Sequence, residues 1–323
     1  MAEPENASGS LGTIERLDPR LDELLPHDNK IEILAEGFVW TEGPVWVPEG
    51  NCLLLSDIPR NSIYRWDESN GIALFMRPSG FTREDFQGRE PGSNGLTLDR
   101  EGRLLLCEHG DRRVARLESL NDPHGPKTTL ADRYDGRRLN SPNDLAAHSS
   151  GAVYFTDPPY GLPRGADDPE RELDFYGVFR VDPDGEVSLL TRDLNRPNGI
   201  AFSPDEKTLY VSNSERHRAI WMAYDVMEDG SIENGRVFFD ATELATRDRP
   251  GAPDGLKVDQ NGNLFATGPG GVLIIAADGT HLGTILTGRP TANCAFGDDG
   301  ATLYITANRH LVRIRTGTLG AGF

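Results

Sequence analysis

Six similar stretches of the chain each place one residue in a common column, and the residue types in that column indicate a chemistry. Aligned on the polar turn that follows, the column holds two carboxylates, three carboxamides and one methyl group: Glu42, Asn94, Asn143, Asn198, Asp254 and Ala292. Converging carboxylate and amide oxygens suit a hard divalent cation, and their number and adaptable side chains favour Ca²⁺ over Mg²⁺. No Cys or His stands in the column, so an ordinary zinc site is not indicated.

The column also has a simpler interpretation, because Asn-Gly and Asp-Gly pairs are common in turns and could do no more than reverse the chain. Glu42 argues against it. Glutamate is a poor turn residue, yet it occupies the same position in the first stretch, before Gly43. We therefore predict one divalent metal ion bound at the column, most readily Ca²⁺, with Zn²⁺, Mg²⁺ and Mn²⁺ as alternatives.

The stretches that carry the column predict the elements that position it. Each reads as a short apolar strand, a polar turn and a second strand, as in R-P-N-G-I-A-F-S-P-D-E-K-T-L-Y-V-S-N at residues 196–213. Further strands follow in each copy, and successive column residues are 52, 49, 55, 56 and 38 residues apart. Four short strands repeated at about 40–50 residues predict an all-β fold, a six-bladed β-propeller with four-stranded blades.

The two ends of the chain are predicted to close this propeller. The sixth copy has only three strands, while the alternating segment K-I-E-I-L-A-E-G at residues 30–37 is a strand without its own unit. Joining them completes the last blade and leaves no free edge at the seam. We expect a partly irregular N-terminal arm at residues 1–29 and a single propeller domain at residues 30–323. The first strand of each blade lines the central channel, so the column becomes a ring around the axis.

Composition narrows the classes of partner. The 323 residues include 33 Lys and Arg against 51 Asp and Glu, a formal net charge of −18, which makes nucleic acid an unfavourable partner. No run approaches the length of about 18 apolar residues that a membrane span needs. The acidic N-terminus lacks the pattern of a signal peptide, so we expect a cytoplasmic protein, or a periplasmic or exported one if a leader precedes this sequence. The oligomeric state is left open.

Four motifs in order resemble one known family. They are E-G-P-V-W from Glu42, S-P-N-D-L from Ser141, R-P-N-G-I-A-F-S-P-D from Arg196 and P-D-G-L-K-V-D from Pro253. Over residues 31–315 the chain resembles the gluconolactonase/regucalcin (senescence marker protein) family, and C-E-H-G-D-R-R-V and F-T-D-P-P-Y-G-L are most similar to the bacterial gluconolactonases. The resemblance implies a six-bladed propeller that hydrolyses sugar lactones with one divalent metal in its channel.

The resemblance also implies roles for single residues. Glu42, Asn198 and Asp254 resemble the direct metal ligands of the family, and Asn143 resembles a fourth channel residue, a ligand or a substrate contact. Asp254 resembles the family's acid/base carboxylate and is the predicted catalytic residue, which either takes a proton from the attacking water or chiefly holds the metal. The regucalcin branch has an arginine two residues before the position of Asn143. Ser141 stands there in this chain, so that branch's mode of sugar binding need not transfer.

Four further residues are candidates for binding substrate. Asn94 stands in the column but does not resemble a family ligand, so it could bind substrate or a metal-bound water. His109 follows the second strand of the second blade, where it could lie at a channel mouth or be a plain loop histidine. Asp144 occupies a position that is glycine in most other copies, and Tyr160 lies in a Pro-rich loop that could cover the site.

These features together predict hydrolysis of a lactone of the glucono-lactone type to the aldonic acid, with the metal polarising the carbonyl group. No G-x-S-x-G motif is present, which argues against an acyl-enzyme route. Two alternatives stay open at this point. The same site could hydrolyse another lactone, an aryl ester or a phosphotriester. A propeller can also serve as a non-enzymatic interaction platform, although that use predicts no ring of converging carboxylates.

Overall fold

The computed structural model describes residues 2–323 and consists almost entirely of antiparallel β-sheet. The chain begins with strands β1 (Glu5–Asn6) and β2 (Thr13–Arg16), one helical turn α1 (Leu21–Leu24) and strand β3 (Glu32–Glu36). Single 3₁₀ turns lie at Ile58–Arg60, Gly165–Asp167 and Thr242–Leu244. Across the described residues, no helix is long and apolar enough to span a bilayer.

Blades one to three follow in chain order. Blade one holds β4 (Thr41–Val47), β5 (Cys52–Asp57), β6 (Ser62–Asp67) and β7 (Gly71–Met76), and blade two holds β8 (Ser93–Leu98), β9 (Leu104–Glu108), β10 (Arg113–Leu117) and β11 (Lys127–Ala131). A small hairpin of β12 (Arg133–Tyr134) and β13 (Arg137–Arg138) precedes blade three, which holds β14 (Leu145–Ala147), β15 (Val153–Asp157), β16 (Gly177–Val181) and β17 (Val187–Thr191).

Blades four to six complete the ring. Blade four holds β18 (Pro197–Phe202), β19 (Thr208–Glu215), β20 (Arg218–Val226) and β21 (Ile232–Asp240), and blade five holds β22 (Leu256–Val258), β23 (Leu264–Gly268), β24 (Gly271–Ile275) and β25 (His281–Leu286). Blade six holds β26 (Asn293–Gly297), β27 (Thr302–Ala307) and β28 (His310–Arg315). The innermost strands contact one another in the cyclic order β4, β8, β14, β18, β22, β26 and back to β4, which confirms the predicted six-bladed propeller.

The seam closes as the sequence predicts. Strand β3 pairs antiparallel with β28 as the fourth strand of blade six, with Ala35 opposite Leu311 and Ile33 opposite Val312. One sheet therefore contains both an N-terminal strand and the last strands of the chain. Opening the ring would require breaking this ladder, so the two ends stabilise each other.

The arm before β3 is more regular than the sequence indicates. Strand β1 adds to the outer edge of β3 in blade six, and β2 adds to the outer edge of β25 in blade five. Leu21 of α1 and the adjacent Leu25 are fully buried against blades five and six. The arm thus covers two outer edges that would otherwise expose unpaired backbone groups.

The hydrophobic core is divided into six clusters, each between two neighbouring blades. At the seam, Trp46 of blade one stacks on Tyr304 of blade six with ring centroids 5.6 Å apart, and Trp66 packs against the same ring at 5.7 Å. The second strand of a blade is covered on both faces, which explains why it reads as a continuous apolar run such as C-L-L-L rather than an alternating one.

A second set of polar residues, at the ends of second strands, anchors the segments that enter the innermost strands. Asp57 accepts the backbone N–H groups of Val39 and Trp40 at 3.0 and 3.2 Å. Asp157 does the same for Asn140 and Ser141, each at 2.7 Å. Because these bonds fix the backbone just before the column residues, they hold the ring residues of blades one and three in register.

Removal of residues 1–16 should weaken the fold without dismantling the propeller. It deletes β1 and β2 and exposes the surface on which the half-buried Leu11 and Ile14 pack. We expect the free energy of unfolding to fall by about 2–3 kcal/mol, because two half-buried aliphatic side chains contribute about 1–1.5 kcal/mol each. Thermal unfolding followed by circular dichroism measures this change. Removal of residues 1–8 alone should cost less, and an equal cost in both truncated chains would contradict a stabilising role for β2.

Candidate functional site

Each column residue lies at the inner end of a blade. In four blades the next residue is glycine, because the neighbouring blade approaches too closely for a side chain. A Cβ atom at Gly43 would lie 2.1 Å from the carbonyl oxygen of Asn94, and one at Gly199 would lie 2.2 Å from that of Asp254. Glu42, Asn94 and Asn198 are within strands β4, β8 and β18, not in turns. The glycines are therefore required by contact between blades, and the turn interpretation of the column does not apply to these copies.

The three carboxamides of the column form a continuous row across blades two to four. Asn94 Nδ2 donates to Asn143 Oδ1 at 2.7 Å, and Asn143 Nδ2 donates to Asn198 Oδ1. All three residues are at most 4% exposed. Asn198 in turn lies beside Asp254 of blade five, where its side chain acts to lower the pKa of that carboxyl. The column residues of four consecutive blades therefore meet in the channel.

The carboxylates of the column are held in an environment that opposes their charge. Glu42 is 2% exposed, and its Oε2 accepts the N–H of Gly43 at 3.0 Å. Burial raises the pKa of Glu42, and the charges of Asp144 and Glu90 raise it further. Burial likewise raises the pKa of Asp254 well above its ordinary value, and the charges of Glu42, Asp144 and Glu90 act in the same direction. Ionisation of each carboxylate thus makes ionisation of the others more costly.

Beneath the ring, two side chains meet across the channel axis. Asp144 belongs to blade three and Asn293 to the opposite blade six, and Asn293 Nδ2 lies 3.4 Å from Asp144 Oδ2. Both residues are 2% exposed. A Cβ atom at Gly95 would lie 2.5 Å from Asp144 Oδ1, and one at Gly255 would lie 2.0 Å from Asn293 Cγ. We name Asp144 and Asn293 the floor pair, because glycines in the neighbouring blades leave the space in which they cross.

His109 lies against the ring, on the side from which loops enter the innermost strands. Its side chain is fully buried, with Nε2 3.2 Å from Asn143 Oδ1 and 3.4 Å from Asn94 Nδ2. Its Nδ1 lies 3.4 Å from Glu90 Oε2. The surroundings of the ring therefore include Glu90, which belongs to the loop between β7 and β8 and not to the column.

Tyr160 reaches the same mouth from the loop between β15 and β16. Its hydroxyl oxygen is buried and has no hydrogen-bond partner among the described residues. Burial raises the pKa of Tyr160 to about 12, and the charge of Asp254 acts in the same direction, so this hydroxyl lies within electrostatic reach of the ring. A cavity of about 320 Å³ between this loop and the loop after β7 is lined by residues that include Phe81, Arg83, Gly161 and Arg164.

The donor set fits a divalent cation in its charge and in its unpaired atoms. Asp254 Oδ1 and Asn94 Oδ1 are buried and have no hydrogen-bond partner in the described chain. No Lys or Arg of residues 2–323 forms an ion pair with Glu42 or Asp254, whereas burial raises the pKa of Asp144 and the charge of Lys257 acts to lower it. Buried carboxylates without a positive partner are costly, and a cation would relieve that cost.

The donor atoms available at the ring decide which cation it can hold. Within residues 2–323 no three His, Cys, Asp or Glu side chains cluster as a metal site, so amide oxygens would have to complete the coordination. A half-turn of a carboxamide exchanges its oxygen and nitrogen, so Asn143 and Asn198 can present oxygen to an ion in the channel. Carboxylate and amide oxygens are the donor types that Ca²⁺ takes.

The structure brings together every residue that the sequence proposed for the site. The ring contains Glu42, Asn94, Asn143, Asn198 and Asp254, while His109 and Tyr160 lie at the mouth and Asp144 lies in the floor. Ala292 contributes no polar group, and the neighbouring Asn293 supplies the side chain of blade six instead. The sequence contains a signal for Asn293, because Asp144 and Asn293 both replace the glycine that follows the column residue in the other four copies. We found no comparable signal for Glu90.

Comparison with known proteins shows that the chain is similar to gluconolactonases. The chain is 42% identical to a gluconolactonase of Zymomonas mobilis over 325 residues, covering 99% of this chain and 90% of that protein. A gluconolactonase structure from Xanthomonas campestris superimposes with a TM-score of 0.82 at 30% identity, covering 97% of this chain and 99% of the other. The calcium-binding regucalcin of Agrobacterium tumefaciens shares the fold, with a TM-score of 0.67 at 21% identity and coverage of 88% and 92%. The family model described as the SMP-30/gluconolactonase/LRE-like region matches residues 40–309, and the chain belongs to this family.

Proposed function

We propose that this protein hydrolyses sugar lactones of the glucono-lactone type to aldonic acids, with one divalent cation at the ring. The observation that carries the proposal is the convergence of Glu42 and Asp254 with three buried carboxamides, in which Asp254 Oδ1 and Asn94 Oδ1 have no partner in the described chain. Similarity to gluconolactonases over nearly the whole chain supports the reaction type.

Glu42, Asn143, Asn198 and Asp254 are the residues that we propose hold the cation. Two carboxylates supply the charge, and two amides supply neutral oxygens. Ca²⁺ is the ion that this donor set suits best, and the calcium-binding regucalcin of the same fold is consistent with it. When bound, a divalent cation polarises a lactone carbonyl and lowers the pKa of water.

Asp254 is the proposed catalytic residue. A water molecule adds to the carbonyl carbon of the lactone, the bond from that carbon to the ring oxygen breaks, and the ring oxygen leaves as a hydroxyl group of the aldonic acid. The water must lose a proton and the ring oxygen must gain one. Asp254 Oδ1 is buried and unpaired at the ring. Because a carboxylate has two oxygens, Asp254 would be able to contribute one to the cation and use the other to take the proton and return it to the ring oxygen.

The substrate contacts are proposed from the polar groups around the ring. Asn94 and His109 lie side by side next to Asn143, and Tyr160 presents an unpaired hydroxyl from the mouth. Asp144 Oδ1 accepts the N–H of Leu145 at 2.9 Å, and its Oδ2 lies 3.4 Å from Asn293 Nδ2, so both carboxyl oxygens are engaged in the floor. We therefore propose that Asp144 acts from below the substrate by closing the floor.

Removal of the metal tests this proposal. After the protein is treated with a chelator and desalted, its rate on glucono-δ-lactone, measured above the uncatalysed rate, should fall at least about twentyfold. Ion that the chelator does not remove limits the fall that can be measured. Ca²⁺ should restore the rate, and Mg²⁺, Mn²⁺ and Zn²⁺ serve as comparison ions. Full activity in protein shown by elemental analysis to be metal-free would reject the cation. Activity on an aryl ester or a phosphotriester but on no lactone would reject the substrate class.

A further inference from the structure

A single buried hydroxyl holds the loop that carries Tyr160. Ser141 Oγ donates to the carbonyl oxygen of Pro158 at 2.6 Å and accepts the N–H of Gly161 at 2.9 Å. Ser141 is fully buried, and its own N–H is held by Asp157 at 2.7 Å. Both ends of the segment 158–161 are thus tied to the backbone that leads into Asn143. Tyr160 is the side chain that this clamp presents.

The segment 158–161 also packs against His109 beside the ring. A Cβ atom at Gly161 would lie 2.5 Å from Cβ of His109, so the loop sits directly on that histidine. The position of Tyr160 is therefore determined by packing below and by Ser141 beside it. Its buried hydroxyl has no hydrogen-bond partner of good geometry within residues 2–323, although Ser214 and Arg196 lie near enough to lower its pKa against the effect of burial, and buried hydroxyl groups are normally hydrogen-bonded. A ligand that brings its own acceptor would satisfy it.

Arg196 stands next to this hydroxyl. Its guanidinium carbon lies 5.7 Å from the centroid of the Tyr160 ring. The backbone of Arg196 is fixed by a bond from its N–H to Asn213 Oδ1 at 3.0 Å and by one from the N–H of Ser214 to its carbonyl oxygen at 2.8 Å. The side chain is exposed and forms no ion pair within residues 2–323, in spite of the acidic composition. Its guanidinium group lies over the Tyr160 ring and forms no ion pair in the described chain, so its hydrogen-bond donors are available at the mouth.

We propose that Tyr160 and Arg196 form a hydroxyl-recognition unit, held in place by Ser141, that makes the site selective for lactones bearing hydroxyl groups. The inference rests on the proposed lactone hydrolysis. Tyr160 donates to a substrate hydroxyl, Arg196 donates to a neighbouring one, and Ser141 is a positioning residue that acts through Tyr160. The unit has no role toward a lactone without hydroxyl groups, because such a substrate offers no acceptor to either donor beyond the ester itself.

The test compares a hydroxylated lactone with a bare one. Tyr160→Phe should raise the KM for glucono-δ-lactone about tenfold with little change in kcat, the effect of one lost hydrogen bond. The inhibition constant of δ-valerolactone, measured by competition, should change less than about twofold, since the bare ring makes no such bond. Arg196→Met should act in the same direction. Tyr176→Phe and Arg192→Met are matched controls, because Tyr176 pairs with Arg171, and Arg192 lies over Phe175 at 5.5 Å.

Ser141→Ala identifies the positioning role. It should raise the same KM, and combined with Tyr160→Phe it should add little, because both changes remove one contact. Additive losses in the double variant, or equal losses toward both lactones in Tyr160→Phe, would overturn the inference. If Ser141→Ala does not fold, the Tyr160 and Arg196 variants still decide. A wild-type rate no higher than that of buffer rejects lactone hydrolysis itself, whereas an active wild type with an unchanged Tyr160→Phe variant rejects only the recognition unit.

Discussion

Asp254→Asn should reduce kcat on glucono-δ-lactone by about 10²–10⁴-fold, the usual contribution of a positioned acid/base group. The substitution keeps the size of the side chain but removes its charge and its capacity to accept a proton. The fold should tolerate it, because Asp254 Oδ1 makes no hydrogen bond that would be lost. Burial and the charge of Glu42 already disfavour the ionised carboxyl, so the melting temperature of the metal-free variant should equal or exceed that of the wild type.

The control for this variant comes from the same loop. Asp248→Asn changes an exposed carboxylate a few residues earlier and should leave kcat within about twofold, as surface substitutions usually do. Stopped-flow measurement of acid release, corrected for spontaneous hydrolysis, resolves the difference. A folded Asp254→Asn protein with a kcat close to that of the wild type would remove Asp254 from the catalytic role.

Glu42→Gln should weaken cation binding by at least about 100-fold, more than the loss that follows damage to a metal's outer surroundings. One of the two ring carboxylates becomes a fourth amide, so the charge that attracts the ion falls by half. Titration of metal-free protein with Ca²⁺ in a calorimeter measures the affinity. Glu49→Gln in the exposed turn after β4 is the control, and an unchanged affinity in Glu42→Gln would contradict the assignment of Glu42 as a ligand.

Addition of Ca²⁺ should reverse the order of thermal stability of Glu42→Gln and the wild type. In metal-free protein, Glu42→Gln removes a buried charge that raises the pKa of Asp254 by repulsion, so the variant should melt at or above the wild-type temperature. At a Ca²⁺ concentration about 100 times the wild-type Kd, the wild type should gain about 2.7 kcal/mol, whereas a variant with 100-fold weaker affinity should gain only about 0.4 kcal/mol. Absence of this crossing, with both proteins equally stabilised by Ca²⁺, would show that the ion binds elsewhere.

The sequence was sufficient to predict the architecture because every blade of the propeller meets the same packing requirement. Each copy had to bury its apolar strands against the next, so the same pattern recurs and its count gives the number of blades. The sixth copy lacked a strand and residues 31–36 formed a spare one, so the sequence predicted that the two would pair, as β3 and β28 do. The column also became a ring, since its position in the repeat fixes its position in space.

The rest of the site depends on contacts that no repeat encodes. Glu90 lies in a connection that differs between blades, and its approach to His109 follows from the path of that one loop. In blade six the column residue, Ala292, carries only a methyl group, and the polar side chain comes from the next residue, Asn293. The column alone therefore did not predict Asn293 as part of the site. The strands of the arm were missed for another reason. β1 and β2 are too short to show alternation, and they form only because blades five and six offer an edge.

The floor pair gives the ring a direction. Asp144 and Asn293 meet across the axis beneath the ring, so the channel becomes a chamber that narrows at the floor pair, and a molecule entering from the mouth meets the ring first. Lactone opening converts a neutral molecule into an aldonate anion inside a chamber whose walls carry Glu42, Asp254 and Asp144. The aldonate meets repulsion from those carboxylates that are ionised and attraction from the proposed cation, so the charge balance at the ring determines how readily the product leaves before the next turnover.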